Sequence, residues 1–264
     1  MMTTISRFYK IFLLVCLNIF FLFIGVLISA APFVEREKRM QGAIRGMMLW
    51  ARACCAIFGI HIQTTGQCEH KTGIFIVSNH CSYTDIPTIG SIIPSVFISK
   101  HEVGSWFLFG RLARLGGTVF VRRESKSSTM NAVREAKERL LNRINIVIFP
   151  EGTTDDGRHV NEFKSSFFKI PLDTDATILP VSIFYSHVNG IATGQSPENE
   201  MAWYDNRSLF SHFWNLLSKK RIDVKIHFNP VISGLKSKDR KELAAIVCQS
   251  VREGLEMLQE KSPF

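Results

Sequence analysis

The chain has 264 residues, of which 46% are hydrophobic and 21% charged, and a formal net charge of +9. That is enough for one large domain or two small ones, and too apolar for a disordered or low-complexity chain. The basic balance suits an anionic partner such as a membrane surface or a phosphorylated molecule. The charge is spread along the chain and not interleaved with aromatics in one stripe, so no nucleic-acid partner is expected. The six cysteines, at positions 16, 54, 55, 68, 81 and 248, form no CxxC pair. Their spacing excludes a zinc ribbon, argues against a disulfide scaffold and points to a reducing compartment.

From Ile11 to Val34 no charged residue occurs, and Asn18 is the most polar interruption. A helix of that length reaches roughly 36 Å, against about 30 Å for a hydrocarbon core. Ser29-Ala30-Ala31 resembles a small-residue cleavage site, but the apolar run exceeds the roughly 7–15 residues of a signal peptide. The stretch therefore reads as an uncleaved anchor, residues 1–39, ahead of one catalytic-size domain, residues 40–264. Arg7 and Lys10 precede it, while Arg36, Lys38, Arg39, Arg45 and Arg52 follow. This excess places the main domain on the cytoplasmic side of the membrane, the inner membrane if the chain is bacterial. Met40 to Ile62 carries Arg45, Arg52 and Trp50 and reads as an interfacial or core-facing helix.

Strand and helix signals then alternate. Ile74–Val77, Ser95–Ser99, Thr118–Val121, Ile144–Phe149 and Ile178–Phe184 read as short buried strands. Residues 128–142 carry an amphipathic helical period, with Ser127 or Ser128 as its cap. Trp203 to Arg221 is expected to be an amphipathic helix, facing either membrane or core. Ile222–Phe228 alternates strictly, which predicts one buried face. A last helix runs from near Ser237 to about Glu260. The pattern predicts an α/β domain with a mixed, mostly parallel sheet flanked by helices.

Several chemistries lack their motifs. There is no phosphate-binding GxxxxGK[ST] loop, no GxGxxG after a strand, no GxSxG elbow and no metal-ligating His/Cys spacing. What remains clusters at strand ends. Asn79-His80-Cys81-Ser82-Tyr83-Thr84-Asp85 follows the first strand of the alternating region. A His held by a carboxylate on one ring nitrogen can take a proton on the other. Phe149-Pro150-Glu151-Gly152-Thr153 follows another strand; Pro150 stops the ladder and Gly152 permits a turn. Lys100, Glu102, Gly110, Gly117, Arg122 and Arg123 complete the set, and cations there suit a phosphate or polyanionic ligand.

These residues resemble the glycerolipid acyltransferases typified by lysophosphatidate acyltransferase. The resemblance covers about residues 50–230, in four ordered blocks. They are Asn79-His80-x4-Asp85; Lys100-x-Glu102 with Gly110, Gly117 and Arg123; Phe149-Pro150-Glu151-Gly152-Thr153; and Leu179-Pro180-Val181. It implies the glycerolipid acyltransferase fold and a membrane-bound O-acyltransferase. His80, oriented by Asp85, would deprotonate a lysolipid hydroxyl that attacks an acyl-CoA or acyl carrier protein thioester, without an acyl-enzyme. Glu151 and Gly152, beside Thr153, would contact the glycerol part of the acceptor. Lys100 and Arg123 would hold anionic groups, and Gly117 belongs to the same binding block. The partners implied are membrane lipid and acyl-CoA or acyl carrier protein, with no cofactor beyond the donor and no metal; oligomeric state is left open.

Four positions depart from the pattern. Thr154 and Asp155 stand where Arg then Ser usually follow, Phe107 replaces a usual Pro, and Arg122 a usual acidic or neutral residue. Lysophosphatidate remains the first acceptor, with a lyso-ornithine lipid or a larger lysophospholipid as alternatives. A non-catalytic anchored protein that binds anionic lipid is the reading from another class. Only the enzyme needs His80, Asp85 and Glu151.

Overall fold

The computed structural model describes residues 2–30, 35–68, 72–122, 124–193, 199–204, 207–235 and 238–260. The N-terminal half contains α1 (Met2–Ala30), α2 (Arg36–Phe58), β1 (Ile60–Gly66), β2 (Phe75–Ser78), α3 (Asp85–Gly90), β3 (Val96–Lys100), α4 (Phe109–Leu115) and β4 (Val119–Val121). There follow α5 (Lys126–Leu141), β5 (Ile146–Ile148), α6 (Lys169–Thr174), β6 (Ile178–Val188), β7 (Ile191–Ala192), α7 (Leu209–Leu216), β8 (Ile222–Phe228) and α8 (Arg240–Glu260).

The strands join one sheet in the order β1-β8-β6-β2-β5-β3-β4, with β7 paired to β6. All pairs are parallel except β6 with β8 and with β7. This is the mixed, mostly parallel sheet that the alternation predicts. Successive side chains leave a strand on opposite faces, so β2 sends Ile76 to one apolar layer and Phe75 and Val77 to the other. The first layer packs beneath α1, α2, α3 and α7, the second beneath α5, α6 and α8. The strict alternation of β8 places Ile222, Val224, Ile226 and Phe228 in the first layer.

Local expectations are corrected at element ends. The α5 helix starts at Lys126, and its cap is Ser125, whose hydroxyl accepts from the Ser128 N–H at 3.2 Å. Ser128 instead accepts from the Arg122 N–H. The Met40–Ile62 stretch is helical to Phe58; Gly59, with φ of 75°, ends α2 and the chain turns into β1. This helix is core-facing, with Trp50, Ala51, Cys54, Cys55 and Phe58 buried. Between Trp203 and Arg221 the helix is only Leu209–Leu216. Leu216 and Leu217 enter the core, whereas Phe210 is 76% exposed. Ser237 lies outside the described residues, and α8 begins at Arg240.

Among the described residues one helix, Thr4–Ala30, is long and apolar enough to cross a membrane. Two sides of it differ. Ile5, Phe8, Phe12, Val15, Ile19, Phe23 and Val26 are exposed at spacings of three and four, one continuous apolar stripe. Asn18 turns the other way and is buried, its amide donating to the Leu14 carbonyl at 2.6 Å. That inner side touches the body along the helix. Lys10 donates to the Lys219 carbonyl, Leu14 is in the core, and Gly25 abuts Leu115, while Phe8 of the exposed stripe also meets Trp214.

One close approach fixes the α8 position. A Cβ on Gly254 would lie 2.4 Å from both Ser182 Oγ and Asn229 Oδ1. Those groups are themselves tied, Ser182 donating to the Val251 carbonyl and Asn229 to Ser182. Ala is the better helix former, yet Gly254→Ala should lower stability by about 1–3 kcal/mol through overpacking. Thermal unfolding of the two proteins in the same detergent checks it; an unchanged midpoint would show that α8 shifts freely.

Candidate active site

The sheet order decides which loops meet. β2, β5, β3 and β4 are neighbours and all parallel, so their C-terminal ends share one edge, where open α/β sheets hold ligands. The His80 loop follows β2, the Phe149–Thr153 loop follows β5, and Lys100 ends β3. Asn79 zips the first loop to β6: its amide donates to the Ile183 carbonyl at 3.0 Å, and its oxygen accepts the Ile183 N–H at 2.8 Å.

His80 Nδ1 lies 2.7 Å from Asp85 Oδ2. The same oxygen accepts the backbone N–H groups of Cys81 and Ser82 at 2.9 and 3.0 Å. Oδ1 accepts the Tyr185 hydroxyl at 2.8 Å, and Tyr185 also meets the Thr84 hydroxyl at 2.8 Å. A buried carboxyl surrounded by donors is an acceptor on both oxygens. His80 Nδ1 therefore carries the proton, and Nε2 keeps its lone pair. The imidazole lies flat on the Phe149 ring, with centroids 4.0 Å apart and planes 12° from parallel. A hydrogen bond on one edge and a ring on one face leave it little rotational freedom.

Glu151 is buried and holds this loop from behind. Its Oε1 accepts the His80 N–H at 2.8 Å and its Oε2 the Asn161 N–H at 3.0 Å. Burial pushes its pKa up to about 7, against those two hydrogen bonds, which favour the charged form. Cys81 is fully enclosed. Burial, followed by the nearby Asp85 and Glu151 carboxylates, drives its thiol well above the usual range. A protonated thiol is a poor nucleophile, and Ser82 is likewise buried.

A cavity of about 530 Å³ opens over His80. Tyr83, Trp203 and Tyr204 wall it with Phe149, and Gly152, Thr153 and Thr154 form one rim. Lys100 is the one lysine or arginine that lines it among the described residues, and Glu102 and Glu124 line it too. Two small apolar clefts of about 20 Å³ each lie beside it. One, between Met47, Ala51, Gly90 and Phe97, shares Ile86 and Phe97 with the cavity; the next shares Met47 and Gly116 with it and ends against Phe21, Ile24 and Ile28 of α1.

Residues 59–184 match the family model described as Acyltransferase. A lyso-ornithine lipid O-acyltransferase of Pseudomonas aeruginosa is 34% identical over 233 residues, 85% of this chain and 86% of that protein. A 1-acyl-sn-glycerol-3-phosphate acyltransferase of Neisseria gonorrhoeae is 30% identical, covering 70% of each chain. The chain belongs to the acyltransferase family. Its fold is also that of the crystal structure of the 1-acyl-sn-glycerophosphate (LPA) acyltransferase PlsC from Thermotoga maritima. The two share 22% sequence identity, with a TM-score of 0.69 over 97% of this chain and 96% of that one.

In this acyltransferase the residues marked by the sequence take three different places. His80, Lys100, Gly152 and Thr153 line the cavity. Asp85 and Glu151 stand behind it, both carboxylates engaged by the His80 loop, so Glu151 reaches backbone where the resemblance implied an acceptor contact. Gly117 is away from the cavity: its φ of 84° serves a turn packed on Met40 and Val96. Arg123 lies outside the described residues, and Arg122 meets His101 at 2.9 Å. Thr154 lines the rim with its hydroxyl bonded to the Trp203 carbonyl. Asp155 and Asp156 turn to Asn161 and to the Arg158 N–H. Tyr185 and Asn161 are additions outside the motifs, and Phe149, inside one, gains a role as the ring beneath the imidazole.

The Glu151 environment has a consequence for stability. A carboxyl whose folded pKa is about 7, above the ordinary 4.5, keeps its proton in the folded state while the unfolded chain has lost it. The folded state then binds more protons between those values, so stability falls as pH rises from about 4.5 to 7 and levels off above. Glu151→Gln should remove this part of the slope. Denaturant midpoints at pH 5 and 8 measure it; equal slopes in both proteins would place the titration elsewhere.

Proposed function

We propose that this acyltransferase moves a fatty acyl group from an acyl-CoA or acyl carrier protein thioester to the free hydroxyl of a lysolipid. One observation carries the mechanism: His80 is held by Asp85 through Nδ1 while its other nitrogen is left to the cavity. His80 Nε2 takes the hydroxyl proton as the oxygen attacks the thioester carbonyl. The tetrahedral intermediate expels the thiolate, which recovers the proton from the imidazolium. Asp85 stabilises that imidazolium. Direct attack agrees with the enclosed, protonated Cys81 and the buried Ser82. The apolar side chains of the cavity wall, Ile86, Phe97 and Trp106 among them, suit the start of the acyl chain. Glu151 acts on His80 through its backbone and is a positioning residue.

The acceptor reading follows from charge. A phosphate monoester favours paired cations, and the described cavity sets Glu102 and Glu124 against Lys100. An acceptor with its own ammonium and carboxylate, as in a lyso-ornithine lipid, suits that mixture. Lysophosphatidate is the second reading, favoured by Lys100 itself. Membrane attachment through the exposed stripe of α1 is supported by its continuous apolar surface, and the arginines and lysines after it suit an anionic lipid surface.

The test is transfer of labelled palmitate by the purified full chain to a panel of lysolipids. Acylation is expected, fastest with the lyso-ornithine lipid. Lysophosphatidate as the preferred acceptor would reverse the head-group assignment. Absence of transfer to every lysolipid, from either thioester, would overturn the reading.

A further inference from the structure

A cluster of exposed cations lies outside the catalytic cavity. A groove of about 550 Å³ runs between α5, the turn at Ser165–Phe168, α6 and the start of α8. Lys126, Arg134, Lys137, Lys169 and Arg240 line it. Among the described residues Asp173 is the one acidic residue lining it, and it is paired with Lys137 at 2.9 Å. Lys126, Arg134, Lys169 and Arg240 are exposed, and at their centre Met130 is 72% exposed beside Val133. An apolar centre ringed by charge is the anatomy of a protein-binding surface.

Two further observations narrow the occupant. First, the groove belongs to the helices over the second apolar layer, on the face of the sheet opposite α1. With α1 in lipid, these cations face water, so the partner is soluble. Second, the groove lies beside the catalytic cavity. A narrow slot of about 170 Å³ shares Thr129 and Ser166 with the groove, and Ile98, Phe149 and Gly152 with the cavity over His80. Among the described residues no aromatic ring lines the groove to stack a nucleotide base, which weighs against the adenosine end of a CoA thioester.

We infer that this groove docks an acidic acyl carrier protein, whose phosphopantetheine arm passes along the slot and delivers the thioester to His80. The inference rests on the acyl-transfer reading above and names its donor.

Two measurements test it on the full chain in detergent or nanodiscs. The first compares palmitoyl-carrier protein with palmitoyl-CoA as donor for wild type and for Lys169→Glu/Arg240→Glu. Like charges set across a docking surface should raise KM for the carrier-bound donor about 10- to 100-fold. The kcat, and KM for palmitoyl-CoA, should stay unchanged. The neutral pair Lys169→Gln/Arg240→Gln should fall between, and both variants should melt with wild type because these side chains are exposed. The second reads binding of fluorescent holo carrier protein by anisotropy, without turnover; it should be lost in the Glu variant and weakened by salt. Equal losses with both donors would assign the groove to a nucleotide or to the fold and overturn the inference, as would unchanged carrier binding. If wild type acylates nothing yet binds the carrier protein through these residues, the groove stands and the acyl-transfer reading falls.

Discussion

Replacing His80 by Ala is expected to cut acyl transfer by about 100- to 10,000-fold with the fold intact, the usual cost of losing a general base. The ring is half-buried and makes two dispensable contacts, its face on Phe149 and its edge on Asp85. The backbone contacts that hold the loop, His80 N–H to Glu151 and Asp155 N–H to the His80 carbonyl, do not involve the side chain. A folded His80→Ala protein should therefore bind substrates and fail at proton transfer, losing kcat with KM little changed. Turnover within tenfold of wild type would place the base elsewhere.

Asp85→Asn should be nearly as severe, and for a separable reason. In a serine protease triad the equivalent change leaves geometry intact and costs about 10,000-fold. Here Oδ2 accepts three N–H groups, from His80, Cys81 and Ser82, so the amide oxygen must take that side. The amide nitrogen then faces the Tyr185 hydroxyl, which can turn to accept because Thr84 and Thr88 are within reach as alternative partners. The loop should thus survive while the charge that stabilises the imidazolium is gone. Asp85→Asn is expected to fold and to lose activity, whereas Asp85→Asn with Tyr185→Phe should lose stability as well. Circular dichroism and single-turnover rates separate the two outcomes. An active Asp85→Asn protein would reduce Asp85 to a loop tether.

The sheet strands were legible because their burial is one-sided, as in Ile222–Phe228, or complete, as in Ile74–Val77. The positions of His80 and Asp85 followed, since a loop after a parallel strand has few places to go. β1 was not legible. His61, Gln63, Thr64 and Thr65 give it a mostly polar edge-strand surface, and it directly follows an apolar helix. The helix expected from Trp203 was too long because amphipathic spacing does not distinguish helix from cavity wall, and Trp203 and Tyr204 are wall. Tyr185 lies 100 residues from the carboxylate it serves. Only the pairing of β6 with β2 brings it there, and no local pattern encodes that distance. Glu151 was legible as a site residue but not in direction, since a turn after Pro150 can present a side chain inward or outward.

The inward face of α1 changes what removing this helix would mean in practice. By composition the segment invites truncation to obtain a soluble enzyme. Yet Leu14 and Asn18 are as buried as residues of the central strands, and Ile11, Leu17 and Phe21 lean on the same layer. Cutting the chain ahead of α2 would lay bare the apolar floor beneath it, and the shortened protein should aggregate. Solubility should come instead from keeping the helix and recolouring its outer stripe, for instance Phe12, Ile19 and Phe23 to Lys or Glu. The helix serves as outer wall and mooring at once, and only the mooring can be dispensed with.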